Sequence, residues 1–105
     1  MDKILMPIFE HDIAPRFDLA TEVIIVELDE HKKIKNQKTI VMPHASAEEL
    51  CALILKEDIN VVLCNGIEDE YYQYLRWKKI KVYDSIMDSY NNALNAYILG
   101  EKLGG

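Results

Sequence analysis

The sequence predicts an α/β domain in which a mixed five-stranded sheet is covered by three helices. Three β-rich runs open the chain with no helical pattern between them, and from about residue 46 helical patterns alternate with two further apolar runs. Short turns join antiparallel strands, whereas alternation of strand and helix requires parallel crossovers. The predicted order is therefore β-β-β-α-β-α-β-α, within a single domain spanning residues 1–105.

The three N-terminal strands are predicted from their apolar and β-branched residues. Residues 3–9 form the first, and residues 21–28 form the second, whose run Val23-Ile-Ile-Val26 is typical of a strand buried on both faces. The turn at residues 29–32 is short, so the third strand, residues 33–42, is expected to form an antiparallel hairpin with the second.

The C-terminal part is predicted from helix caps and from continuous apolar runs. Ser46 is a candidate N-cap with Glu49 three residues later, which is the spacing of a capping box, so a helix should run from here to about Glu57. The remaining elements follow in order: a strand at residues 60–64, a helix at 68–78, a strand at 80–84 and a helix from about Asp88.

The composition of the chain limits the kinds of partner that it is expected to bind. The formal charge is −6, from 12 basic and 18 acidic side chains, and an acidic surface repels nucleic-acid phosphates. No apolar run approaches the roughly 20 residues that span a bilayer. The charged residues Asp2 and Lys3 argue against a signal peptide. The two cysteines match no Cys-x-x-Cys motif. We therefore expect a cytoplasmic, reduced protein that binds neither nucleic acid nor membrane.

The loop after the first strand has the most distinctive pattern. It reads Ala14-Pro-Arg-Phe-Asp-Leu-Ala20, and it resembles the dinitrogenase iron–molybdenum cofactor biosynthesis family, whose loop usually reads Ser-Pro-His-Phe-Gly-x-Ala. Arg16 stands where the family has histidine, and Asp18 stands where it has glycine. The resemblance covers nearly the whole chain, including the ending at residues 93–101.

The resemblance implies both a fold and a function. The family has a ribonuclease-H-like sheet with an expected strand order of 3-2-1-4-5, in which strand 2 is antiparallel. Its small domains bind metal–sulfur cofactors or their precursors. The chain is therefore expected to be a carrier or accessory protein for an iron–sulfur or iron–molybdenum cofactor or precursor, with metallocluster donor and acceptor proteins as its partners.

In that topology the candidate binding residues lie at one edge of the sheet. Strand directions place His11, Arg16, His44, Cys64 and Asp84 together at the strand exits, where open α/β sheets bind ligands, and leave His31 at the opposite edge. Asn65 and Gly66 stand where the family has a glycine-rich turn. The expected cofactor-binding residues are His11, Arg16, His44, Cys64, Asn65 and Gly66, with His11, His44 and Cys64 as metal ligands.

Each candidate ligand also has a structural interpretation. Cys64 is a soft thiolate donor suited to iron–sulfur species, or a small apolar residue buried in a strand. His11 is a ligand or a solvated loop histidine between two acidic neighbours. His44 is a ligand, or it covers the N-terminus of the following helix. Cys51 lies among leucines on a helical stripe, where core packing is the better interpretation.

The two departures from the family's pattern bear on cofactor binding. Arg16 cannot ligate a metal because it never deprotonates. It can pair with an organic acid or with cluster sulfides, or it can bridge to Asp12 or Asp18. The acidic residues 68–70 follow Gly66 and would repel an anionic cluster, although they also stabilise the N-terminus of the next helix.

An enzyme is not expected from these residues. A two-metal nuclease of this fold class needs carboxylates on the first and fourth strands, and residues 4–9 and 61–64 carry none. The sequence also contains no P-loop or dinucleotide fingerprint. The alternative to a carrier is a family member that has lost cofactor binding and acts as a protein-interaction or regulatory module.

Overall fold

The structure, a computed structural model, describes residues 2–104 and consists of one mixed sheet with helices on both faces. The strands are β1 (Lys3–Phe9), β2 (Asp12–Ile13), β3 (Glu22–Leu28), β4 (Ile34–Val41), β5 (Val61–Leu63) and β6 (Lys81–Tyr83). The helices are α1 (Ala47–Lys56), α2 (Asp69–Trp77) and α3 (Tyr90–Leu99), and a single 3₁₀ turn covers Phe17–Leu19. The predicted mixed α/β architecture with three helices is confirmed.

The sheet corrects the predicted strand count. It has six strands rather than five, in the order β4-β3-β1-β5-β6, with β2 paired only to β1. The extra strand forms because the chain reverses at Glu10, whose φ is 57°, and pairs Asp12–Ile13 with the end of β1. Two residues are too few to show a period in the sequence. With β2 counted, the strands predicted as first to fifth are β1, β3, β4, β5 and β6.

Strand directions bring four strand ends to one edge of the sheet. β1 runs parallel to β5, and β5 runs parallel to β6. β3 is antiparallel to both β1 and β4, so β4 runs in the direction of β1. The carboxyl ends of β1, β4, β5 and β6 therefore share one edge, and the turn with His31 lies at the other.

Two apolar cores lie on opposite faces of the sheet. Leu5 of β1 packs with the side chains of α1 and α2, whereas its neighbours Ile4 and Met6 pack with those of α3. This division follows because successive residues of a strand point to opposite faces. The predicted cap of α1 is confirmed: the Ser46 hydroxyl accepts a hydrogen bond from the Glu49 N–H. Within residues 2–104, no helix is long and apolar enough to cross a membrane.

Candidate functional site at the strand exits

The motif loop, residues 14–20, is joined to the loop between β5 and α2. The Phe17 N–H donates to the Gly66 carbonyl at 2.7 Å, and the Gly66 N–H donates to the Pro15 carbonyl at 2.9 Å. A Cβ at position 66 would lie 2.9 Å from the Pro15 oxygen, so the close approach requires glycine. The Asn65 carbonyl accepts from the Ser85 N–H. These bonds connect the exits of β1, β5 and β6 into one rim.

Phe17 fixes the motif loop to the core. Its side chain is 1% exposed, and its ring stacks on Tyr71 of α2 with 6.4 Å between ring centroids. The neighbouring Arg16 is exposed, and so is Leu19. The loop therefore presents two exposed side chains from a backbone that is anchored at its centre.

Arg16 is paired with Asp18, one of the partners considered from the sequence. Its Nε and Nη2 donate to the two carboxylate oxygens of Asp18, each at 2.9 Å. Glu68 adds a third carboxylate oxygen 3.9 Å from Nη2. The hydrogen bond and the charge of Asp18 raise the pKa of Arg16. The positive charge that would attract an anionic ligand is thus already balanced by the carboxylates of Asp18 and Glu68.

A cavity of about 650 Å³ opens beside the motif loop. We call it the rim cavity. Its lining includes two exposed apolar side chains, Phe9 and Leu19, and three charged ones, Glu10, Arg16 and Glu22. Phe9 and Leu19 are 65% and 64% exposed. The sequence pattern does not predict this cavity, and its one signal for it is a pair of large apolar residues, Phe9 and Leu19, beside predicted turns.

Cys64 is buried, as expected if it acts as a small apolar residue of the core rather than as a ligand. Its side chain is 0% exposed, and burial, together with the charge of Asp84, raises the pKa of the thiol to about 12. A neutral buried thiol is a poor metal ligand because the thiolate is the ligating form. Cys51 is buried as well, and its pKa is raised to about 11 by burial and by the charge of Glu48.

The histidines predicted as metal ligands are exposed. His44 Nε2 lies 2.9 Å from the Glu49 carboxylate, near the N-terminus of α1. His11 lies in the turn between β1 and β2, and its carbonyl accepts from the Tyr90 N–H. In the part of the chain that the structure describes, no three His, Cys, Asp or Glu side chains are grouped to hold a metal ion. The rim therefore contains no preformed metal centre that uses His11, His44 and Cys64 together.

Comparison with known proteins identifies the family. The sequence pattern of the family described as dinitrogenase iron-molybdenum cofactor matches residues 3–100. The chain belongs to this family. One protein of similar sequence is the uncharacterized protein MJ0327 of Methanocaldococcus jannaschii, which is 27% identical over 89 residues, covering 85% of this chain and 80% of that protein.

Solved structures show the same fold. The crystal structure of PH0822 superposes with a TM-score of 0.87 at 18% identity, covering 96% of this chain and 93% of the other. The crystal structure of MJ0327 superposes with a TM-score of 0.78 at 26% identity, covering 94% and 89%. The fold of these proteins is therefore present over nearly the entire chain.

Proposed function

We propose that this member of the dinitrogenase iron–molybdenum cofactor family is a non-catalytic accessory protein. It binds an iron–sulfur or iron–molybdenum cofactor, or a precursor, and transfers it between metallocluster donor and acceptor proteins. The observation that carries the proposal is the hydrogen-bonded junction between the motif loop and Gly66. It places Arg16 at the carboxyl edge of the sheet, where α/β folds bind ligands.

The rim offers only weak and exposed contacts to such a cargo. Arg16 can pair with an anionic group of the cargo when it exchanges one carboxylate of Asp18 for that group. His11 and His44 are exposed imidazoles that can ligate iron when neutral, after His44 leaves Glu49. Cys64 is too deeply buried to contribute in this conformation. Weak contacts suit a carrier because the cargo must leave.

The test is an anaerobic titration of the purified protein with isolated iron–molybdenum cofactor or its iron–sulfur precursor. Bound iron is measured after gel filtration. We expect stoichiometric retention by the natural protein and loss of retention in Arg16→Ala and His44→Ala. Cys64→Ala is the matched control, and it should retain the cargo because its side chain does not reach the surface. Absence of retention by the natural protein would overturn the carrier function.

A protein-interaction module is the second candidate, and one observation favours it. Arg16 is already compensated by Asp18 and Glu68, so the charge that replaces the family's histidine is not free. A direct comparison separates the two functions. If a family member with histidine in the loop retains the cofactor and this chain does not, the interaction module is the better assignment.

A further inference from the structure

The rim cavity combines an apolar surface with an excess of negative charge. Phe9 and Leu19 expose large side chains there, and the carboxylates of Glu10 and Glu22 line the same space. Among the described residues that line the cavity, Arg16 is the one cation, and it is paired with Asp18. An anion therefore meets an unfavourable net charge in the cavity unless it displaces Asp18 from Arg16. The group that fits best is an apolar ring or chain flanked by cations.

The C-terminal end of α2 presents that chemistry. Trp77 is the single tryptophan of the chain, and it is 71% exposed. The Lys78 ammonium lies 4.6 Å from the centroid of its ring, and Arg76 is its other neighbour in the sequence. We call this surface the Trp77 knob. Exposed tryptophan beside arginine is typical of the residues that dominate binding at protein interfaces.

Charge around the Trp77 knob is predominantly positive. Arg76 and Lys78 flank Trp77 in the sequence and Lys79 follows, whereas Asp58 shares a cleft with the two lysines. The chain as a whole is acidic, with a formal net charge of −6. The knob is thus a cationic, aromatic surface on an acidic protein, and it complements the rim cavity in both charge and polarity.

We propose that the rim cavity of one molecule binds the Trp77 knob of a second copy of this chain. The two surfaces cannot meet within one molecule. The motif loop lies at the carboxyl edge of the sheet, whereas α2 returns the chain from the end of β5 to the start of β6, so Trp77 lies at the opposite edge. Contact between different surfaces of two copies is a head-to-tail association.

The contact should be weak because it rests on a single aromatic anchor. Stable interfaces bury roughly 1,200–2,000 Å², which is far more than one tryptophan and its neighbours supply. Association is therefore expected only at high protein concentration, towards about 1 mM. The inference does not rest on cofactor binding, and the test uses protein without cargo.

Two variants and a mixing experiment test the proposal. Trp77→Ala removes the knob, and Leu19→Asp places a further charge in the cavity; both positions are exposed, so folding should be retained. Met87→Ala is the matched control, since Met87 is 83% exposed and lies in neither surface. Sedimentation up to about 1 mM should show association of the natural protein and of Met87→Ala, and monomers for the other two variants.

Mixing the two defective variants restores one contact. Trp77→Ala keeps an intact cavity but has no tryptophan, so all tryptophan emission comes from the Leu19→Asp molecules. We expect the mixture to form heterodimers, and its emission to shift to shorter wavelength as Trp77 leaves water. The proposal is overturned if the natural protein stays monomeric, if Trp77→Ala associates as the natural protein does, or if mixing leaves the emission unchanged.

Discussion

Both carboxylate oxygens of Asp18 accept hydrogen bonds from the Arg16 guanidinium, each at 2.9 Å. These two residues stand where the family's loop usually has histidine and glycine. In the structure the cation at position 16 is bound by the anion at position 18. The buried Phe17 between them anchors the loop, and Arg16 lines the rim cavity.

Removing the charge of Asp18 should strengthen cofactor binding. In Asp18→Asn the guanidinium keeps a neighbour of similar shape but loses the competing carboxylate. We expect a severalfold tighter complex with the iron–molybdenum cofactor, since exposed ion pairs contribute only modestly. The affinity is measured by anaerobic absorbance titration. Glu68→Gln is the control with a smaller effect because its oxygen lies 3.9 Å away. Equal affinity of Asp18→Asn and the natural protein would contradict this role of Asp18.

Phe17 and Leu19 should differ sharply in their effect on stability. Phe17→Ala removes a ring that is 1% exposed, and such substitutions lower the free energy of unfolding by about 3–5 kcal/mol. Leu19→Ala, in the same 3₁₀ turn but largely exposed, should change it by less than about 0.5 kcal/mol. Urea unfolding followed by circular dichroism measures both. Similar values for the two variants would show that the loop is not anchored through Phe17.

Gly66→Ala should damage the rim and its binding function together. The added Cβ would lie 2.9 Å from the Pro15 carbonyl, and relief of such overpacking costs about 1–3 kcal/mol. We expect lower stability and loss of cofactor retention.

The matched control for Gly66 is a glycine outside the rim. Gly100→Ala strains a residue with a φ of 73° at the end of α3, where no atom lies within 4 Å of the added Cβ. It should lose stability while retaining the cofactor. Loss of retention in both variants would show that general destabilisation, rather than the junction, is the cause.

The buried thiols should make the protein less stable as pH rises above 9. In the unfolded chain a cysteine ionises near its ordinary pKa of 9.0, whereas burial raises the pKa of Cys64 to about 12 and that of Cys51 to about 11. The raised pKa favours the protonated folded form, so stability is fully present below pH 9 and falls as pH rises towards these values.

Urea unfolding in reducing buffer between about pH 8 and pH 11 measures this loss. Cys64→Ala removes one of the two thiols, so its free energy of unfolding should fall less steeply with pH, even though its value at neutral pH is lower. An unchanged slope in Cys64→Ala would contradict burial of the thiol as its cause.

The sequence by itself determined the elements and their order. Helix caps such as Ser46 and apolar runs such as Val23–Val26 are local signals, because a cap forms its hydrogen bond within one helical turn and a strand buried on both faces has a continuous apolar run. Apart from β2, the helices and strands of the structure begin and end within about two residues of their predicted bounds. β2 was missed because two residues carry no periodicity, and its pairing depends on the reversal at Glu10.

The tertiary structure alone decided which side chains at the strand exits are exposed, buried or paired. Strand direction placed Arg16 and Cys64 at the same edge, but it could not show that Cys64 is covered by the core or that Arg16 is bound by Asp18. Burial depends on which loops pack above a strand end, and pairing depends on distances between side chains. The rim cavity and the Trp77 knob have the same origin, because an exposed surface is defined by what the rest of the chain leaves uncovered.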